Sequence, residues 1–309
     1  MKLLDHRLIV VVGKGGVGRT TTALSLGIAA AKAGKRVVVV ELGGMSSLAR
    51  AFGRDRSYSP QEISRGVDIV SLTPAESIDD FGKRKLRVNA LVRLIFQNRI
   101  MHAFIDGVPG LPDLVQLGKM ENMLMEPQSG DPVWDLCILD APATGHGLTL
   151  LAAARSMADM TRVGPFFDLA TVIEKTLSDR NKTAVVLTTL PEELPVNESL
   201  ELLTELKLEG FPPAAIIVNQ VRPDRLPLEP DWSEVRAEFT GSSDPDLVRL
   251  VALADRAHAR QQSQVAALER LGNTGVELAL LPRSEREPAA ADLEAFGGHL
   301  YEQLGVNPS

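Results

Sequence analysis

The sequence predicts an α/β fold with a doubly wound, mostly parallel sheet and a helical insertion. Short β-branched runs alternate with longer helical patterns along the 309 residues, which is the order of elements in sheets whose strands are joined by helices. The strand candidates are apolar throughout, as is typical of strands covered on both faces. These two observations predict one domain over residues 1–309 that is interrupted by an insertion at residues 74–132.

Seven runs are apolar enough to be predicted as strands of this sheet. They are Leu8–Val12, Val37–Glu41, Val67–Leu72, Leu136–Asp140, Thr183–Thr188, Ala215–Val218 and Val276–Leu281. Helices are predicted after Gly18, after Pro195 with a stop at Gly210, and after Asp246, because glycine just beyond a periodic segment is a common helix end. Residues 222–245 are rich in proline and charge and are predicted to form a surface excursion.

Residues 74–132 break the alternation of strands and helices. They contain an amphipathic stretch followed by Met120, Met123 and Met125, and six of the eight methionines lie between residues 101 and 160. Two interpretations remain open. Methionine-lined helices form adaptable grooves for apolar partners, which makes an apolar client segment a candidate partner. In the other interpretation, which is favoured, these side chains fill a small core.

Composition and charge exclude several classes of function. A formal net charge of −7 argues against a protein that coats nucleic acid, which needs clustered lysine and arginine. No run approaches the roughly 18 apolar residues of a membrane span, and no signal-peptide pattern is present, so a cytoplasmic location is expected. Cys137 is the single cysteine and is predicted to be a buried hydrophobe. One cysteine forms neither an internal disulfide nor a C-x-x-C zinc site.

The stretch VVVGKGGVGRTTTA near the N-terminus fits two glycine-rich motifs. Gly13, Gly15 and Gly18 satisfy the dinucleotide fingerprint G-x-G-x-x-G, with Glu41 where a ribose-binding acid is expected. The same segment fits a phosphate loop, G-x-x-x-x-G-K-[ST], with Arg19 in place of its lysine. Both motifs place phosphate at a helix N-terminus. The cation and hydroxyls after the last glycine favour the phosphate loop, because they suit phosphate and Mg²⁺.

A second motif supports the phosphate loop. WDLCILDAPATGHG, residues 134–147, is an apolar strand that ends in Asp140 and continues into a loop with proline and glycine. An acid at the tip of a hydrophobic strand is the Walker B arrangement, which holds Mg²⁺ directly or through water. A NAD enzyme has no need of this stretch. The phosphate-loop interpretation is therefore preferred.

With these motifs the chain resembles the arsenite-pump and tail-anchored-protein-targeting ATPases, the ArsA-like family. GKGGVGRTTTA resembles the deviant Walker A loop of that family, and DAPATGHGLTLL is similar to its switch II. TTLPEELPVNESLELLTEL, IIVNQV and LPRSEREPAAADLEAFGGHL resemble its later segments. The resemblance extends nearly end to end. It implies a P-loop ATPase domain that uses ATP and Mg²⁺.

The resemblance also implies a role for each matching residue. Lys14 would reach the phosphates of a partner subunit, which implies a dimer. Thr20 would ligate Mg²⁺ and Thr21 would hydrogen-bond the α-phosphate, while Asp140 would hold Mg²⁺ through water. Asn219 would contact adenine. Backbone N–H groups of the loop would wrap the phosphates, and the loop residues are Gly13, Gly15, Gly16, Val17 and Gly18.

Four departures from the family pattern bear on activity. Arg19 stands where the family has the lysine that contacts the phosphates bound by its own subunit. It keeps the positive charge and is still assigned a catalytic role, but its planar guanidinium differs from a compact ammonium group. The aspartate of switch I, which positions the attacking water, aligns with Gly43 in GGMSSLARAFG, and Glu41 is a candidate substitute. Positioning and charge stabilisation supply most of the rate of phosphoryl transfer, so slow hydrolysis is expected. The targeting branch of the family has a C-x-x-C pair that joins a dimer through zinc, and the arsenite branch has three cysteines. Both sets are missing from this sequence, so neither a zinc-bridged dimer nor arsenite as a substrate is expected.

Three hypotheses of function follow. The first is a cytosolic ATPase whose nucleotide state opens and closes a dimer and thereby controls a client or partner held by the helical insertion. The second is a degenerate subunit that binds ATP without hydrolysing it and forms a heterodimer with a more complete paralogue. The third is a MinD- or ParA-like positioning ATPase, which shares the first loop; the segment YEQLGVNPS is no membrane helix, and no basic DNA-binding patch is evident.

Overall fold

The structure is a computed structural model that describes residues 2–85, 107–108, 110–125, 127–128, 131–132, 134–141, 146–223 and 231–304. The strands are β1 (Leu8–Val12), β2 (Val37–Glu41), β3 (Gln61–Ser64), β4 (Val67–Ser71), β5 (Pro127–Gln128), β6 (Asp131–Pro132), β7 (Leu136–Asp140), β8 (Thr183–Thr189), β9 (Pro213–Val221) and β10 (Glu277–Pro282). The helices are α1 (Arg19–Lys32), α2 (Ser47–Ala51), α3 (Pro74–Lys85), α4 (Leu111–Met125), α5 (His146–Thr161), α6 (Pro165–Ser178), α7 (Glu193–Leu208), α8 (Asp231–Phe239), α9 (Pro245–Gly272) and α10 (Ala290–Gln303).

One eight-stranded sheet organises the chain, in the order β10-β9-β8-β1-β7-β2-β4-β3. Neighbouring strands pair in parallel, and only the edge strand β3 runs antiparallel to its neighbour β4. The prediction of a doubly wound, mostly parallel sheet is confirmed, and each of the seven predicted strands is present. The strand β3 was not predicted, because its four residues carry no apolar run.

Two apolar layers cover the two faces of this sheet. Alternate residues of β1 point in opposite directions, so Leu8 and Val10 belong to one cluster and Ile9 and Val11 to the other. The first cluster includes side chains of α3 to α7 and α9, and the second includes side chains of α1, α2 and α10. Both faces are therefore buried, which explains why the strands are apolar throughout.

The three individually predicted helices are present, and five described helices outside the insertion were not predicted, namely α2, α5, α6, α8 and α10. The helix predicted after Gly18 is α1, the one after Pro195 is part of α7, and the one after Asp246 is part of α9. The side chain of Asp244 accepts a hydrogen bond from the N–H of Asp246 at 2.9 Å and so caps α9. The predicted surface excursion at 222–245 contains α8, whose charged and proline-rich surroundings hid the helical pattern, and residues 224–230 lie outside the described residues.

Helices account for most of the described part of residues 74–132. They are α3 and α4, followed by the short antiparallel pair β5–β6. Met120 and Met123 on α4 are only 1% and 7% exposed, and they belong to the same cluster as the sheet residues. For these two side chains the core interpretation is confirmed, and the groove interpretation is wrong. Met101 and the side chain of Met125 lie outside what the structure describes.

The remaining predictions about apolar residues concern Cys137, Met160 and membrane-spanning helices. Cys137 is fully buried in β7, as predicted, and this burial raises the pKa of its thiol. Met160, near the end of α5, is instead 66% exposed. Within the described residues, no helix has both the length and the apolar character required to cross a bilayer.

Candidate nucleotide site

The glycine loop connects β1 to α1 at the carboxyl edge of the sheet. Gly13, Gly16 and Gly18 have φ angles of 158°, 82° and 89°, of which the last two lie in the left-handed region that favours glycine. A Cβ added to Gly13 would lie 2.5 Å from the carbonyl oxygen of Thr188 in β8. The loop therefore fits tightly against the sheet, and its sequence requires glycine for both backbone conformation and space.

Gly18 is the N-cap of α1 and has a left-handed conformation, with φ 89° and ψ 37°. As a glycine it offers no side chain to bond the N–H groups of the first helical turn. Those donors, together with the positive end of the helix dipole, form an anion-binding position. The predicted residues Arg19, Thr20 and Thr21 are the first three residues of this helix.

Thr20 and Asp140 are brought into direct contact. The Thr20 hydroxyl donates a hydrogen bond to Oδ2 of Asp140 at 2.6 Å. Asp140 ends β7, the strand next to β1, so the parallel register of these strands brings its carboxylate to the loop. The side chain of Asp140 is 7% exposed, and its second oxygen, Oδ1, has no hydrogen-bond partner among the described residues.

The carboxylate of Asp140 is in a strongly desolvated position. Burial raises its pKa to about 6, while the hydrogen bond from Thr20 and the positive charge of Arg19 oppose this rise. The guanidinium of Arg19 is itself partly desolvated, which lowers its pKa, while the charge of Asp140 raises it. The two side chains thus interact electrostatically beside the loop.

This donor set fits a hydrated Mg²⁺ ion. A buried carboxylate oxygen without a protein partner is costly unless something else satisfies it. Mg²⁺ commonly binds through one or two protein oxygens, and water and substrate phosphates complete its coordination. Thr20 and Asp140 supply a hydroxyl and a carboxylate 2.6 Å apart, next to the anion-binding end of α1. The residues present therefore match a site for phosphate and Mg²⁺.

Glu41 lies beside this site but is engaged elsewhere. It pairs in register with Asp140 across β2 and β7 and is 2% exposed. One carboxylate oxygen accepts a hydrogen bond from the hydroxyl of Ser71, and the other accepts one from the N–H of Leu48 at 3.3 Å. Burial raises its pKa against these hydrogen bonds. Glu41 thus fixes the N-terminus of α2 to the sheet.

The loop after Glu41 is held by hydrogen bonds that its backbone N–H groups donate to a side chain and to a backbone carbonyl. Gly43 has φ 81°, and its N–H donates to Oε1 of Gln116 on α4 at 2.7 Å. The N–H of Gly44 donates to the carbonyl oxygen of Leu72 at 2.8 Å. Sequence reasoning missed Gln116; the only signal was a polar residue within the apolar stretch LVQLGKM. Residues 42–48, LGGMSSL, contain no carboxylate.

Asn219 in β9 lies behind the glycine loop. It is 4% exposed; its Nδ2 donates to the carbonyl oxygen of Val17 at 3.0 Å, and its Oδ1 accepts from the N–H of Gln220 at 2.9 Å. A cavity of about 260 Å³ opens next to it, with Gly18 and Thr21 in its lining. The cavity extends from the start of α1 to residues that follow β10, among them Ser284, Arg286, Glu287 and Pro288.

Most of the predicted site residues therefore meet at one edge of the sheet. The loop residues, including Gly15, Gly16, Val17 and the half-buried Lys14, connect β1 to α1. Asp140 and Asn219 approach from β7 and β9. The loop that follows Asp140 in the second motif falls largely on residues 142–145, which lie outside the described residues.

Comparison with known proteins agrees with this arrangement. The family model described as anion-transporting ATPase matches residues 6–164 and 160–236. The chain is 32% identical to the ATPase BagA of Mycobacterium tuberculosis over 265 residues, which covers 80% of this chain and 74% of that protein. It is 25% identical to the ATPase ASNA1 homolog 1 of Paramecium tetraurelia over 250 residues, covering 69% and 74% of the two chains.

Proposed function

This chain belongs to the anion-transporting ATPase family, the ArsA-like ATPases, and is an ATPase of that family; we propose that it is a slow, dimeric, cytoplasmic one. In this proposal ATP with Mg²⁺ occupies the site at the start of α1, and the nucleotide state opens and closes the dimer. The observation that carries the nucleotide assignment is the contact between Thr20 and Asp140. It places a buried carboxylate oxygen, which has no hydrogen-bond partner within the described part of the chain, beside a helix N-terminus.

Each loop residue has a part in this proposal. Backbone N–H groups of residues 13–18 surround the phosphates, and Thr21 bonds the α-phosphate. Thr20 and Asp140 hold Mg²⁺, which neutralises phosphate charge when bound. Asn219 lies against the cavity next to Gly18, which supports a contact with the base. Lys14 reaches the nucleotide of the second subunit, and this role makes the dimer necessary.

Slow hydrolysis follows from two positions in the site. Arg19 supplies a planar guanidinium where a compact ammonium is expected, and the two groups bind phosphate differently. Gly43 supplies no carboxylate to orient an attacking water. In the structure Glu41 is not positioned to orient a water molecule, because its two carboxylate oxygens accept hydrogen bonds from Ser71 and Leu48. By analogy with the removal of one oxyanion-hole donor, the loss of one such group costs about 10²–10³-fold in rate.

The client part of the proposal rests on the resemblance to the family. The nucleotide-driven motion would act on a client or partner held by the segment at residues 74–132. Met120 and Met123 do not line a client-binding groove, since both are core residues. A client surface on this segment would have to be formed by other side chains.

A second candidate function is a non-hydrolysing ATP-binding subunit in a heterodimer with a more complete paralogue. The observation that favours it is the absence of a carboxylate from residues 42–48 combined with the engagement of Glu41 in capping α2. Purified chain that retains ATP would support this candidate. Retained ADP would support hydrolysis by the chain itself.

A thermal unfolding experiment tests the nucleotide site. ATP with Mg²⁺ is expected to raise the Tm, because a ligand that binds only the folded state stabilises it by mass action. NADH is expected to leave the Tm unchanged. Asp140→Asn should reduce the Mg²⁺-dependent part of the shift, whereas Asp135→Asn, just before the opposite end of β7, should keep it. A shift with NADH and none with ATP and Mg²⁺ would contradict the proposal.

A further inference from the structure

The backbone of Gly43 is attached to α4 through the side chain of Gln116. The N–H of Gly43 donates to Oε1 of Gln116 at 2.7 Å. The Nε2 of Gln116 donates in turn to the carbonyl oxygen of Pro112, one turn earlier on α4, at 2.9 Å. The carboxamide therefore has one bond to its own helix and one bond to the loop between β2 and α2.

Gln116 is an unusual residue for its surroundings. It is 2% exposed, and its neighbours on α4, Leu114, Val115 and Leu117, belong to the apolar core. A buried amide is tolerated when its polar atoms are paired, and it then specifies one arrangement of the groups it joins. Because Gln116 is also bonded to Pro112, its side chain behaves as a fixed extension of α4. A displacement of α4 would move the acceptor away from Gly43.

The other bonds of this loop lead to a different part of the molecule. Gly44 donates to Leu72, the residue after β4, and Glu41 accepts from Leu48 on α2. Those bonds hold the loop to the sheet and to α2. Among the hydrogen bonds of the described residues, the contact between Gly43 and Gln116 is the one that joins this loop to α4. It is thus positioned to relate the loop to the segment at 74–132.

The same loop lies next to the nucleotide site. Glu41 and Asp140 are register partners on adjacent strands, so Gly43, two residues after Glu41, is at the edge of the sheet that carries the glycine loop. We propose that Gln116 is a positioning residue that couples the position of α4 to the conformation of the Gly43 loop and thereby to ATP turnover. This inference rests on the proposed function, in which ATP binds beside Asp140. Coupling requires an element with two arrangements that both regions bias, and in this inference the Gly43 loop has that role.

The test compares three variants of the full-length chain. Gln116→Met keeps the length of the side chain and removes the amide donor and acceptor. Gln116→Glu keeps an acceptor for Gly43 and removes the donor to Pro112. Glu121→Gln is the matched control, because Glu121 is a buried polar residue on the same helix that accepts its hydrogen bond from the hydroxyl of Thr176 on α6. For each we measure ATP affinity, kcat and KM for phosphate release, and amide hydrogen exchange of residues 41–48 and 111–125 with and without ATP and Mg²⁺.

In the unaltered chain, ATP with Mg²⁺ is expected to slow exchange in both segments. Gln116→Met should bind ATP with similar affinity and keep its KM, but its kcat should fall by about 5-fold or more, in the usual range of coupling between sites. Exchange in residues 111–125 should no longer respond to ATP. Gln116→Glu should retain more of the kcat than Gln116→Met, and Glu121→Gln should keep both the kcat and the exchange response.

The opposite results are distinguishable. If Gln116→Met binds ATP and retains the kcat and the exchange response of residues 111–125, Gln116 has only a structural role and the proposal fails. If Gln116→Met does not fold, the unaltered chain decides: the proposal fails if ATP with Mg²⁺ slows exchange in residues 41–48 but not in residues 111–125. If the unaltered chain shows no response to ATP at all, the proposed function is overturned, and the coupling role falls with it.

Discussion

The side chain of Asn219 lies directly against Gly18, although the two residues are on different elements. Its Nδ2 bonds the carbonyl oxygen of Val17, and a Cβ added to Gly18 would overlap that nitrogen. The loop and β9 are therefore locked together at the start of α1. This contact explains why the last glycine of the motif is needed even before a nucleotide is considered.

The variant Gly18→Ala tests this contact against Gly16→Ala. Both glycines have positive φ angles, 89° and 82°, so alanine costs about 1 kcal/mol of backbone strain at either position. Only Gly18 meets Asn219, because a Cβ at Gly16 finds no atom within 4 Å. Urea denaturation should therefore show Gly18→Ala to be less stable than Gly16→Ala by about 1–3 kcal/mol. Equal stability of the two variants would mean that Asn219 does not fix the loop.

The methionines of α4 and α5 give a second prediction. Met120 is 1% exposed and Met160 is 66% exposed. Met120→Glu should lower the free energy of unfolding by about 3 kcal/mol or more, because it buries an unpaired carboxyl group in the core. Met160→Glu should change it by no more than about 0.5 kcal/mol. A Met120→Glu variant as stable as the unaltered chain would instead indicate that Met120 faces an open groove.

Glu121 gives a prediction for the pH dependence of stability. Its side chain is 5% exposed, one oxygen accepts from Thr176 at 2.9 Å, and burial raises its pKa above the ordinary value of 4.5. Between these two pKa values the unfolded chain has lost the proton that the native state keeps. Stability that depends on this group is therefore present at low pH and decreases as the pH rises through that window.

The variant Glu121→Gln removes this titration. Relative to the unaltered chain, its free energy of unfolding should increase, meaning higher stability, as the pH is raised from about 4.5, the ordinary pKa of the group, towards neutrality. Urea denaturation at several pH values measures this. Glu201→Gln, at an exposed position of α7, controls for the loss of one negative charge. A constant difference between Glu121→Gln and the unaltered chain across the range would show that the buried carboxyl does not titrate as described.

Much of the fold could be predicted because each parallel strand is short, apolar and enclosed by helices. The run VVVVE, for example, is buried throughout in β2. The strand β3 and the helix α8 were missed for the opposite reason. The residues QEIS of β3 are only partly buried, and α8 lies in an exposed, charged segment, so neither produces a clear hydrophobic period.

The residues of the candidate site also divide into those that the sequence predicts and those that only the structure reveals. Thr20 and Asp140 could be predicted, because the glycine loop and the strand ending in an acid are local patterns with a fixed physical meaning. Gln116 could not be predicted, since its contact with Gly43 joins residues 73 positions apart and depends on how α4 packs. The hydrogen bonds of Glu41 with Ser71 and Leu48 are also tertiary contacts. The position of Glu41 at the end of β2 could not predict them.

The central claim is that Arg19 and Gly43 together make hydrolysis slow while the nucleotide site remains intact. Arg19 lies beside Asp140, where its guanidinium can still neutralise phosphate oxygens. A Cβ added to Gly43 would meet no atom within 4 Å, and aspartate is among the residues that tolerate a positive φ. The two positions act on one transition state, so their effects should be non-additive.

Phosphate release at saturating ATP, measured at a protein concentration at which the proposed dimer forms, tests this claim most directly. The four proteins are the unaltered chain, Arg19→Lys, Gly43→Asp and the double variant. Each single change should recover little hydrolysis, and the double variant should exceed the product of the singles, with a gain of about 10²-fold or more over the unaltered chain. If the unaltered chain already turns over as fast as the double variant, Arg19 is a working catalytic residue and the account is contradicted.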